Sequence, residues 1–310
     1  MYYLSMIFFQ VVAPILLLLV LGGVIQKRFQ FNLKALSNLV TFCLMPAAIF
    51  LNIYETEVDA AVLGKILLYL FTFIFSLMLI SNLLVKILRL EGARAAVFKN
   101  SIVLMNSGNY GLPVSQMVFS TQPLGTAIQI ITIVVQNLTT YTYGLYNLIA
   151  TSKKGLDILR DIIKLPIVHA LILGSVMNYF NIPLPQFVSI PLNHVADSFI
   201  AIALITLGAQ LAKIKMKTLF NKMLYLSCFG RLILGPSVAM VLIYLFRFDG
   251  IVAQSLLIAS SFPTSRNSSS LALEYDVEPD LAAQTVLVTT IVSCLTVTIV
   301  IYMARLLYPV

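Results

Sequence analysis

Apolar residues fill the chain in runs of about twenty, separated by short clusters of Lys, Arg, Asp and Glu. Wound as a helix, such a run spans the hydrocarbon core of a bilayer. The pattern predicts helices near 5–26, 33–53, 60–86, 95–120, 124–150, 164–180, 189–212, 221–246, 250–273 and 280–307. The expected fold is an all-α membrane protein of ten transmembrane helices. The longest polar interval, TSKKGLDILRDIIKL at 150–164, reads as an amphipathic connector. It predicts a first five-helix unit over 1–152, a cytoplasmic connector over 153–163 and a second five-helix unit over 164–310. An odd number of helices per unit inverts the second unit relative to the first, as in many secondary transporters.

Composition sharpens this picture. Of 310 residues, 60% are hydrophobic and 10% charged, whereas a soluble domain carries about 25% charged residues. The first apolar run has no basic leader and no small-residue cleavage site, so it is expected to be a retained helix. The net charge of +8 would suit a nucleic-acid partner, but its distribution argues against one. Fifteen of the twenty basic residues fall in the loops of one side and three (Lys65, Arg247, Arg305) in those of the other. That asymmetry predicts a multi-pass plasma-membrane protein with the basic loops in the cytoplasm and both termini outside. Cys43, Cys228 and Cys294 have neither disulfide nor metal-ligand spacing and read as small core residues. No phosphate loop, nucleophile elbow, zinc motif or dinucleotide fingerprint is present, so neither enzyme chemistry, a cofactor nor a metal is expected.

Two of the predicted helices carry matching interruptions. The fourth breaks at 106–113, NSGNYGLP, and the ninth at 261–267, SFPTSRN. Gly111, Pro113 and Pro263 are the expected helix-breaking residues, because proline removes a backbone donor and glycine lets the chain unwind. Pro14, Pro46, Pro166 and Pro236, each isolated, read as kinks. Matched breaks in two halves mark a transporter's binding site, and freed half-helix N-termini suit an anion. The fold class then becomes two inverted five-helix repeats with crossing broken helices, like sodium/proton antiporters and bile-acid symporters.

Arg266 stands inside the second break, where a cation costs about 2.5 kcal/mol or more. No acidic residue in either broken helix is available to neutralise it, and its planar fork matches a carboxylate. Asn106, Asn109, Tyr110 and Asn267 are the polar candidates beside it for substrate binding. Asp197 is either an N-terminal cap near the outer surface or, with His194, a titratable coupling or support group. Arg231 is expected to snorkel toward the cytoplasmic interface. Gln136 and Asn137 are expected to bond between helices rather than to line a cavity.

Several stretches resemble the auxin efflux carrier family. NSGNYGLP resembles its Asn-x4-Gly-x-Pro break, ADSFIAIALITLG its seventh-helix pattern and RLILGP its Arg-x3-Gly-Pro. FPTSRNSSSLALEYDVEPD resembles its ninth-helix stretch, ending in Ala-x-Glu-Tyr-x-Val-x-Pro-Asp. The resemblance covers nearly the whole chain. It implies a scaffold domain, a crossover domain and elevator-like movement, with Asn106 as polar ligand, Pro113 and Pro263 as crossover prolines, and Asp197 as support acid. Plant members move indole acetate, and bacterial members include malate and malonate carriers. The chain departs from the plant pattern in lacking a long central loop and in having Arg266 and Asn267 where plant carriers are apolar. The expected partners are therefore a small organic anion, such as a dicarboxylate, and the lipid bilayer; a homodimer is compatible with the resemblance. Cation-coupled transport, export of another weak acid or amino acid, and a non-transporting membrane sensor remain alternatives.

Overall fold

The computed structural model describes residues 8–56, 60–148, 166–214 and 221–310. The predicted connector at 153–163 lies outside the described residues. Twelve helical segments follow in order: α1 Phe8–Phe29, α2 Leu33–Glu55, α3 Ala60–Ile87, α4 Gly92–Val103, α5 107–118, α6 123–148, α7 Pro166–Tyr179, α8 Gln186–Leu211, α9 Lys222–Phe246, α10 Gly250–Ser260, α11 Arg266–Glu274 and α12 Pro279–Leu307. Six of them (α1, α2, α3, α8, α9 and α12) are long and apolar enough to cross a bilayer. Their outward faces carry exposed Leu17, Phe75, Tyr244 and Leu295, surface that water would not tolerate and lipid would. Cys43 is also exposed, which corrects the expectation that all three cysteines are core residues.

The prolines act through wider turns than a simple kink. Five-residue π-helical segments run over Phe8–Val12, Val40–Leu44, Ser107–Gly111 and Gly230–Leu234. Each of these four ends two residues before a proline (Pro14, Pro46, Pro113 and Pro236), whereas a fifth, Thr140–Gly144, precedes none and Pro191 sits inside α8 without one. Proline has no N–H to give and its ring clashes with the carbonyl four residues back. A π turn moves the ladder to the next carbonyl and keeps the helix continuous.

The first break consequently lies upstream of the expected one, whereas the second falls within its expected bounds. The fourth helix is interrupted at Leu104–Asn106, upstream of the glycines and Pro113, which sit in the helical run of α5. The ninth is interrupted at Ser261–Ser265, with Pro263 inside the extended stretch and Arg266 opening α11. Neither Gly108 nor Gly111 adopts a positive φ. Gly111 serves by being small, since a Cβ there would lie 2.6 Å from the Phe262 ring and 2.8 Å from Gln129 Nε2.

One turn occurs twice. Arg89-Leu90-Glu91-Gly92 ends α3 and starts α4, and Arg247-Phe248-Asp249-Gly250 ends α9 and starts α10. Both arginines are left-handed (φ 51° and 52°), as are both glycines (53° and 55°). In each turn the arginine N–H bonds three residues back and the next N–H five residues back, the Schellman closure. Lys65, in the first turns of α3, sits 4.6 Å over the Phe248 ring just past α9. The two helices are thus antiparallel, and the two turns lie at opposite ends of the pair.

Packing separates two groups. α1 lies along α8, and α2 along α7 and α8. Backbones meet at the first contact: a Cβ on Gly22 would stand 2.0 Å from Ile205 O, and one on Gly208 2.0 Å from Leu19 O. The remaining helices gather around the two breaks, with α10 against α6 and α12, and α9 against α3.

Candidate functional site

The two breaks cross and pair with each other. Asn106 N donates to Pro263 O at 2.8 Å, and Ser265 N donates to Leu104 O at 2.8 Å. Met105 and Thr264 face each other as a single antiparallel bridge. The Thr264 hydroxyl donates to Ser101 O at 2.8 Å, and Thr264 N donates to Thr289 Oγ1 at 3.2 Å. Each interrupted helix thereby satisfies backbone groups of the other, which a low-dielectric interior demands.

From this crossing α5 and α11 leave with their N-termini toward a common cavity of about 830 Å³. Asn106 lines it from the first break, Ser107 and Asn109 from α5, and Arg266, Asn267 and Ser269 from α11. The opposite wall is α2 and α8, where Gln210 Nε2 donates to Ser37 Oγ at 2.6 Å. Ser265 caps α11 by accepting from Asn267 N at 3.2 Å. Gln129 Nε2 holds the start of α5 through Ser107 O at 2.9 Å. Asn109 and Arg266 also line a second, small space of about 10 Å³ together with Thr206 and Gln210.

Charge in the cavity is one-sided. Among the described residues Lys34, Lys213 and Arg266 line it against a single acid, Asp280. Among the described residues no carboxylate lies within ion-pair distance of Arg266. Polar groups without partners cluster here too. Asn106 Nδ2, Ser107 Oγ and both amide atoms of Gln136 are buried and unbonded among the described residues. Each such group costs about 1–3 kcal/mol when left unmet, and these atoms are closed off even from the cavity; the polar surface that the cavity itself presents comes from Asn109, Asn137, Arg266 and Asn267. Lys34, Lys213 and Asp280 stand at or just beyond helix ends, so the cavity opens on the side of the basic loops.

Of the expected site residues, Asn106, Asn109, Arg266 and Asn267 meet at this cavity. Tyr110 does not line it: fully buried, it packs edge-on against Phe262 at 5.9 Å and is bonded to Ser293 Oγ at 3.2 Å. Asp197 and His194 lie on the exposed face of α8 and are not brought to the cavity. Asp197 is twelve residues into a helix whose N-cap position is Pro185, so it caps nothing. Gln136 and Asn137 line the cavity, where bonding between helices was the favoured expectation. Arg231 does not snorkel. It is fully buried and donates to Ile102 O at 2.7 Å and to Ser260 O.

The comparisons with known proteins agree with this architecture. A family model described as membrane transport protein matches residues 7–301. An uncharacterized transporter of Methanocaldococcus jannaschii is 28% identical over 297 residues, covering 92% of this chain and 96% of that protein. An uncharacterized transporter of Methanothermobacter thermautotrophicus is 22% identical over 295 residues, covering 92% and 94%. A chain that is nearly all membrane-type helix, crossed at two breaks over a polar cavity and matched almost end to end by that model, belongs to the membrane transport protein family, the auxin efflux carrier-like transporters.

Proposed function

We propose that this transporter is a secondary carrier of small organic anions, a malate- or malonate-like dicarboxylate, working by alternating access at the crossing. The observation that carries the reading is Arg266. It opens α11, lines the cavity, and has no carboxylate at ion-pair distance among the described residues. A carboxylate held by the N-terminal N–H groups of α5, with a second on the Arg266 fork, would use both features. The three basic side chains lining the cavity favour that charge.

The packing supports a movement as part of this reading. The group α1, α2, α7 and α8 would stay as scaffold, and the crossing would shift against it like an elevator. The repeated turn at opposite ends of α3 and α9 supports an inverted pair of five-helix units, 1–152 and 164–310. With the basic loops in the cytoplasm of a bacterial-type plasma membrane, the cavity opens inward.

Uptake of labelled malate into proteoliposomes tests the reading, for the native chain and for Arg266→Gln, with and without an imposed potential. Saturable uptake that Arg266→Gln lowers at least about tenfold is expected, as for a lost charged hydrogen bond. No uptake by the native protein would overturn the dicarboxylate assignment. Uptake unchanged in Arg266→Gln would leave a carrier whose anion site lies elsewhere. A response to potential separates uniport from neutral symport.

A further inference from the structure

We propose that Arg231 is a positioning residue that holds the crossing together by charge, with its guanidinium gripping the carbonyl ends of α4 and α10 at once. This role is independent of which solute is carried. Ile102, its first acceptor, is the penultimate residue of α4, and Ser260, its second, is the last of α10. These half-helices have twelve and eleven residues, and their final carbonyls have no helical N–H to accept from. Each end carries a partial negative charge of about half an electron. Two such ends meeting inside apolar protein repel. One cation between them satisfies both, and no carboxylate among the described residues lies within ion-pair distance of Arg231. The helix ends are therefore its counter-charge.

The surroundings keep room for this grip. A Cβ on Gly235 would stand 2.8 Å from Arg231 Nη2 and 3.1 Å from Ser260 O. One on Gly230 would stand 2.7 Å from Ile102 Cδ1. Arg231 itself lies within the π segment Gly230–Leu234, where it is buried with Gly230 and Leu232. One turn earlier Ser101 Oγ donates to Ser227 Oγ at 2.9 Å, a second tie between α4 and α9. Yet α9 contributes no residue to the cavity wall. Arg231 acts at second hand: it fixes where Leu104–Asn106 and Pro263–Ser265 pair, and so where Asn106 and Arg266 stand.

Hydrogen–deuterium exchange of the full chain in lipid nanodiscs tests this without any substrate. Arg231→Met removes the charge at similar length and is expected to speed exchange of the Asn106 and Ser265 amides together by about tenfold or more. The contact of α1 with α8 should keep its protection. Arg231→Lys, which keeps a cation within reach of the carbonyls, should restore most of the protection at both breaks. Gly235→Ala keeps the charge but fills its space, and should reproduce the methionine pattern. Unchanged protection at both breaks in Arg231→Met, or a loss confined to α9, would overturn the proposal. So would a loss spread over every helix in both Arg231→Met and Gly235→Ala, which would assign Arg231 to folding at large.

Discussion

A single methyl group on Gly111 would occupy space already held by the Phe262 ring and by Gln129. Phe262 belongs to the opposite break and Gln129 bonds Ser107, so neither can yield without disturbing the crossing. Gly111→Ala is expected to destabilise the protein by about 1–3 kcal/mol, the usual cost of overpacking, read as a lowered melting temperature in detergent. The residue scale is also where sequence reading divides. Arg266 is legible because a cation in an apolar run announces itself, and the cavity receives it where expected. Arg231 announces itself equally, but its acceptors lie 129 and 29 residues away in the chain. Nothing local reveals them, and snorkelling accounts for a cation near a helix end just as well. Tyr110 sits within a polar motif, but in a widened turn its neighbour Asn109 faces the cavity and its own ring turns to Phe262.

At the scale of elements, the apolar runs place most helices well: the expected 33–53 and 280–307 are Leu33–Glu55 and Pro279–Leu307. What the runs hide is where a helix stops inside lipid. Glycine and proline in NSGNYGLP suggest a break at 106–113, but the π turn absorbs Pro113 and the chain opens at Leu104–Asn106 instead. That choice depends on the partner strand, a non-local fact. The Arg-x-acid-Gly turn stands twice in the residues, with both glycines in the conformation that L side chains resist. Element packing carries its own prediction. Gly208 meets the backbone of α1, so Gly208→Ala should separate α1 from α8 and lower the melting temperature strongly. Gly64 has nothing within 4 Å of its would-be Cβ, and Gly64→Ala should leave that temperature unchanged or slightly raised. Equal effects of the two would contradict backbone-to-backbone contact as the seam of that pair.

For the whole molecule, the distribution of charge and the opening of the cavity make one statement about sidedness. In a background with Cys43, Cys228 and Cys294 replaced, Lys34→Cys and Lys213→Cys are expected to react with an impermeant maleimide only from the cytoplasm. Lys65→Cys and Arg247→Cys should react only from outside. Labelling with the opposite sidedness would reverse the proposed orientation while leaving the fold intact. The pairing of Met105 with Thr264 also bears on how the protein is made. The second partner is synthesised 159 residues after the first, the difference of their positions. At about 5–20 residues per second, that is roughly 8 to 30 s of translation. Through that interval the first break has no strand to accept its exposed peptide groups. The nascent first half must wait, sheltered by the insertion machinery or by a water-filled path, until the second half arrives to close it.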